Sequence, residues 1–234
     1  VRTLLVNGQI YSPAENFATA ILIENDIIAW IGSEGGADVH RREVDDVIDV
    51  AGDLITPGFV NLAADAVNLP GGFVHAELAE VPIADRWSEQ TWEDHSQRAV
   101  AVVPRLPCRL RSRISKGTPT ALVPSVMNVS GWQTVRSAIY DVEPAERLTA
   151  RGAFNAMTRS AWRILGWPER GVLAVGAEAT FVRWSTDDLV IETPDQRISN
   201  WSTDPRAATP GLPPLHHGAE LPEVSGVWLA GVSQ

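Results

Sequence analysis

The stretch Asp49-Val50-Ala51-Gly52-Asp53-Leu54-Ile55-Thr56-Pro57-Gly58-Phe59-Val60-Asn61-Leu62-Ala63-Ala64-Asp65 decides how the rest of the chain is read. It is an apolar run interrupted by Pro57-Gly58 and resumed beyond them. Proline withholds a ladder donor and glycine frees the backbone, so a strand that stops at Thr56 and restarts at Phe59 predicts a crossing from one sheet into another. The segment is read as a joint between two modules.

Upstream of the joint, Thr3–Tyr11 reads as a strand with an irregularity at Asn7-Gly8. The β-branched runs Ala20–Glu24 and Ile27–Gly32 flank Asn25-Asp26, residues that tolerate a tight hairpin turn. Ser33–Asp46 is polar, a loop or short helix, and Val47–Val50 is a further strand. Downstream, strands are expected at Phe73–Leu78, Val100–Val103 and Gly117–Ser125, with helices over Asp85–Ala99 and Trp132–Tyr140. A helix is predicted from Leu148 to Gly166, with Phe154, Met157, Ala161, Ile164 and Leu165 at helical spacing and Gly166 as its stop. A turn from Gly171 leads into a strand ending at Trp184, and Val227–Val232 reads as one last strand.

The joint resembles the signature of the amidohydrolase superfamily, Pro-Gly-Phe-hydrophobic-Asp-hydrophobic-His-x-His, where a small β-sandwich passes into the first strand of a metal-binding barrel. Pro57-Gly58-Phe59-Val60 matches it, but Ala63 and Asp65 stand where the family has its two histidines. A second resemblance covers Ala153, Met157-Thr158, Ala161, Leu165-Gly166, Gly171-Val172-Leu173, Gly176 and Ala179, similar to the family's C-terminal signature, with Thr180 replacing its usual Asp. The tail Arg197–Arg206 is similar to the branch called amidohydrolase family 3.

The resemblance implies an α/β fold with a β-sandwich composed of residues 1–57 and 167–234, beside a barrel section at 58–166. The span from Gly58 to Gly166 is about 110 residues, whereas a closed (β/α)₈ barrel takes about 250. A reduced, incomplete barrel remnant is therefore expected.

Ligand by ligand, the family's chemistry is missing. Val123-Pro124-Ser125 stands where the resemblance places a catalytic Asp on the last barrel strand, and serine does not replace that proton acceptor at neutral pH. Lys116, the sole lysine, precedes that strand, on the side opposite a barrel's catalytic rim. A relocated site for zinc or another divalent metal could draw on His75, Glu77, His95 and Asp65, since His75 and Glu77 lie two apart on a strand and share a side. The competing reading is that these side chains are solvated, and it leaves no catalytic, cofactor-binding or metal residue assigned. His216-His217 sits in a Pro-rich loop and reads as exposed. No serine-nucleophile elbow, phosphate-binding loop or dinucleotide fingerprint occurs.

Cys108 is the only cysteine, so the chain has no intrachain disulfide and no thiolate cluster. That fits a reducing, cytoplasmic setting. Arg105, Arg109, Arg111, Arg113 and Lys116 surround it, where positive charge would depress a thiol pKa or receive an anion, against the default of a buried small hydrophobe and ion-paired arginines. The formal net charge of −10 and pI near 4.9 argue against nucleic acid or an anionic membrane as partner. No N-terminal signal pattern and no apolar run of membrane-spanning length is present. Nine tryptophans suit core and interface packing.

Two functions follow as expectations. The first is an amidohydrolase-like protein that has lost metal-dependent catalysis and serves as a binding, scaffold or regulatory module. An incomplete barrel leaves strand edges and apolar faces to cover, so a homo-oligomer or a protein partner is expected. The second is a metal-dependent hydrolase of non-peptide C–N bonds with a relocated or intersubunit site.

Overall fold

The computed structural model describes residues 1–63, 71–77, 80–84, 98–125, 130–186, 189 and 211–234. The N-terminal segment supplies β1 (Arg2–Val6), β2 (Gln9–Ile10), β3 (Ala20–Glu24), β4 (Ile27–Gly32), the short helix α1 (Glu34–Ala37), β5 (Asp46–Asp49) and β6 (Leu54–Pro57). The expected hairpin is β3–β4, turned by Asn25 at φ 59°. β1 runs antiparallel to β3 and parallel to β5, giving a first sheet in the order β4-β3-β1-β5.

The chain leaves this sheet twice, at Asn7 (φ 58°) and at Ala51-Gly52 (φ 54° and 87°), and each time continues into a second sheet where β2 and β6 pair in parallel. One carboxylate ties the two crossings together. Asp49 Oδ1 accepts the Asn7 Nδ2–H at 2.9 Å and the Ala51 N–H at 2.8 Å. These donors, the Ala51 amide foremost, hold the exposed carboxyl below its ordinary pKa.

Past the joint come β7 (Phe59–Asn61), β8 (Phe73–Ala76), β9 (Ile83–Ala84), β10 (Val100–Val102), α2 (Arg111–Ser115) and β11 (Thr120–Leu122). Then follow α3 (Gly131–Tyr140), a 3₁₀ turn at Pro144–Glu146, α4 (Ala150–Met157) and α5 (Arg159–Ile164). Among the described residues every strand pairing in this section is parallel: β7 with β8, and β9, β10 and β11 in the order β11-β10-β9. Among the described residues these strands close no barrel. Ser130 caps α3, its side chain accepting the Gln133 N–H at 3.3 Å. The helix expected over Asp85–Ala99 falls mostly on residues 85–97, outside the described residues.

The helix expected from Leu148 to Gly166 is two helices. Thr158 Oγ1 donates to the Phe154 carbonyl at 2.9 Å, and its backbone (φ −120°, ψ −95°) breaks the ladder between α4 and α5. Back-bonding of a threonine to the carbonyl four residues earlier is a known cause of helix bending. Gly166, at φ 86°, is the stop it was expected to be.

The C-terminal segment returns to the sandwich with β12 (Phe181–Ser185), β13 (Glu223–Leu229) and β14 (Val232–Ser233), completing the second sheet in the order β14-β13-β12-β6-β2. Val227–Val232 is thus not one strand. Ala230 and Gly231, at φ 48° and 80°, fold it into a hairpin. A β-carbon on Gly231 would fall 1.8 Å from the Asn25 carbonyl oxygen, so only glycine fits where this turn meets the β3–β4 turn.

The sandwich is therefore built from both chain ends, and strand alternation makes its second sheet a shared wall. Ile55, Phe181 and Trp228 face the first sheet with Leu5, Ile21 and Ile28, while Leu54, Val182 and Trp184 face the middle section. Phe59 lies at the centre of that second interface. Its ring centroid is 5.2 Å from Trp132, 5.6 Å from Trp184, 5.7 Å from Phe154 and 5.9 Å from Phe73. A β-carbon at Gly131 would sit 2.0 Å from the Phe59 ring, so α3 begins on glycine to let that ring in.

Candidate functional site

The place to look first is the end of β7, where the sequence keeps the family's turn and strand. Asn61 is buried, and its Oδ1 accepts the Ala63 N–H at 3.0 Å, closing a side-chain turn as the strand ends. Ala63 packs on an apolar cluster that includes Val60, Leu62, Ala121, Val123 and Trp162. Val123, at the end of β11, is fully buried in it. The two strand ends that the resemblance assigns to metal and proton transfer thus meet in one apolar cluster, covered by α5 through Ala161 and Trp162. Neither Ala63 nor Val123 has a side-chain lone pair to offer an ion.

Of the four alternative ligands, the structure brings two together. His75 on β8 and Glu77 just beyond it do share a side, with His75 Nε2 and Glu77 Oε2 3.2 Å apart, and the imidazole packs against Trp162 at 4.7 Å between ring centroids. His95 and Asp65 lie outside the described residues. Among the described residues no group of three or more His, Cys, Asp or Glu side chains is placed to hold a metal ion. The His216-His217 pair is exposed as expected, with His217 Nε2 3.6 Å from Asp141 Oδ1 and its ring against Tyr140.

In the arginine-rich segment the default reading of Cys108 as a buried small hydrophobe holds. Cys108 is 3% exposed. Burial, then the carboxylates of Glu143 and Glu146, push its thiol up to about 12, so the surrounding arginines do not activate it. Glu143 Oε2 also accepts the Cys108 N–H at 3.2 Å. That pair of carboxylates lies on the 3₁₀ turn and its cap, 35 residues further along, and no local pattern around Cys108 announces it. Arg113 turns inward at 5% exposure and donates Nη2–H to the Arg98 carbonyl at 2.8 Å. Burial lowers its pKa from the ordinary value.

The arrangement of a two-sheet sandwich interleaved with parallel strands and helices is similar to the fold of solved amidohydrolase-superfamily structures. Solved structures of that kind superpose over essentially the whole chain. An enamidase described as a member of the amidohydrolase superfamily is 12% identical with a TM-score of 0.61, covering 100% of this chain and 95% of its own. An amidohydrolase from a Sargasso Sea environmental sample is likewise 12% identical with a TM-score of 0.61, covering 100% and 92%. A zinc-bound adenosine deaminase from Xanthomonas campestris is 12% identical with a TM-score of 0.58, covering 99% and 92%. At such identity the likeness is one of fold. No protein-family model matches the sequence, and a search of curated proteins finds no match.

Proposed function

We propose that this chain is an amidohydrolase-like protein without metal-dependent catalysis, retained as a binding, scaffold or regulatory module. One observation carries the reading: Ala63, where the fold family keeps a metal-binding histidine, and Val123, two residues before the Ser125 that stands for its catalytic aspartate, pack in one apolar cluster under Trp162. Hydrolysis of an amide by activated water needs a Lewis acid or a general base beside the water, and an alkyl-lined contact supplies neither. A module of this kind acts through its surfaces, and the partner is a second copy of the chain or another protein. No helix of the described residues is long and apolar enough to cross a membrane.

The competing reading, a metal-dependent hydrolase of non-peptide C–N bonds with a relocated or intersubunit site, has the His75–Glu77 pair in its favour. Elemental mass spectrometry on protein purified without chelator separates the two. The expected result is zinc, iron and manganese each far below one per chain. Near-stoichiometric metal that falls on His75→Ala or Glu77→Ala substitution would overturn the non-catalytic reading.

A further inference from the structure

We propose that the groove between α2, the loop into β11, α4 and α5 binds a small organic anion with an apolar body, held by Arg111, Arg147 and Arg163. The groove encloses about 970 Å³. These three arginines line it, and among the described residues no aspartate or glutamate does. In a protein of net charge −10 such a lining runs against the average. Arg111 and Arg163 form no ion pair with any described carboxylate. Arg147 donates Nη2–H to the Tyr140 carbonyl at 3.3 Å, and its Nε–H is buried without a hydrogen-bond partner.

The carboxylates nearest in sequence are engaged elsewhere. Glu143 accepts from the Cys108 amide, while Glu146 Oε2 accepts from Ser112 N at 3.0 Å and Ser112 Oγ at 3.1 Å. A guanidinium offers two parallel N–H donors, the geometry that carboxylate and phosphate oxygens accept. The positive end of α4, capped by Thr149 at the groove wall, adds potential of the same sign.

Size and lining define the rest of the ligand. An inorganic anion occupies a small part of such a volume, which lies at the upper end of the range for small-molecule sites, about 300–1,000 Å³. Ile114, Leu148 and Ala156 give the groove an apolar surface for a hydrocarbon or aromatic body. The groove adjoins the start of β11, whereas Val123 lies past its end, so the site is separate from the family's catalytic position and does not rest on whether catalysis survives there.

The test is isothermal titration of the whole chain with hydrocinnamate and with phenyl phosphate. Hydrocinnamyl alcohol serves as the neutral counterpart and inorganic phosphate as the head group without a body. Saturable binding of one organic anion per chain is expected, with the alcohol and inorganic phosphate at least about tenfold weaker, and with affinity falling as salt is raised. The relative affinities of the two anions identify the preferred head group. The double variant Arg111→Gln/Arg163→Gln is expected to lose at least about tenfold in affinity with its thermal unfolding unchanged, and Arg147→Gln to lose as much. Equal binding of the alcohol, equal binding of inorganic phosphate, no saturation by either organic anion, or full affinity in the folded double variant would each overturn the proposal.

Discussion

Cys108 shows how a single residue's chemistry is set from outside its own segment. Five cationic side chains within eight residues of it would favour a thiolate, yet burial and the carboxylates of Glu143 and Glu146 push its pKa to about 12. Because the thiolate is the nucleophile, alkylation by iodoacetamide at pH 8 should be at least about a hundredfold slower in the folded protein than in denaturant. Labelling at equal rates in both would show that the thiol is neither buried nor masked. The sign for stability follows from the same shift. A folded-state pKa raised from an ordinary 9.0 to about 12 means the unfolded thiol ionises first. The contribution is thus complete below pH 9 and is lost as pH rises toward 12. Cys108→Ala should remove that alkaline dependence, read as a flatter denaturant midpoint across the window.

Among the elements, the joint was legible and its surroundings less so. Pro57-Gly58 acts on its own backbone, so the strand break between β6 and β7 needs no distant partner to be foreseen. The same holds for the Asn25 turn and the Gly166 stop. Two breaks were hidden because their causes are not written in local residue types. Thr158 breaks its helix through a bond to a carbonyl one turn back. Ala230-Gly231 lacks the Asn or Asp that signals a hairpin, and its shape answers to the Asn25 carbonyl of another turn. The groove arginines were hidden for a related reason, since Arg111, Arg147 and Arg163 come from three separate helical segments. Phe59 gives this scale its test. Fully buried and ringed by four aromatic side chains, it should cost about 3–5 kcal/mol when replaced by alanine, read from urea unfolding. Gly131→Ala, which adds a methyl 2.0 Å from that ring, should also destabilise despite alanine's better helix propensity. A neutral or stabilising Gly131→Ala would mean that α3 is not pinned against Phe59.

For the molecule as a whole, the shared wall decides how it unfolds. The sandwich joins strands from the two ends of the chain: β6 pairs with β12, and Asp53 just before β6 accepts from Arg183 Nη2 at 2.8 Å and Nε at 3.1 Å on β12, and from Ser225 on β13. Trp184 on the same β12 donates its indole N–H to Thr56 at 2.8 Å and packs on Trp132 and Phe59 of the middle section. Removing the sandwich would strip one wall from the middle core, and removing the middle section would expose the outer face of β6 and β12. Neither half buries its apolar surface alone, so one cooperative transition is expected. Far-UV circular dichroism, which follows backbone structure throughout, and tryptophan fluorescence, which follows the packing of all nine tryptophans with Trp132 and Trp184 of the interface among them, should give coincident urea midpoints. Asp53→Ala leaves the half-enclosed Arg183 guanidinium without its carboxylate and should move both midpoints together by an equivalent of about 3 kcal/mol. Two resolved transitions, with Asp53→Ala shifting only one, would show that the sandwich and the middle section fold independently and that β12 is not the wall they share.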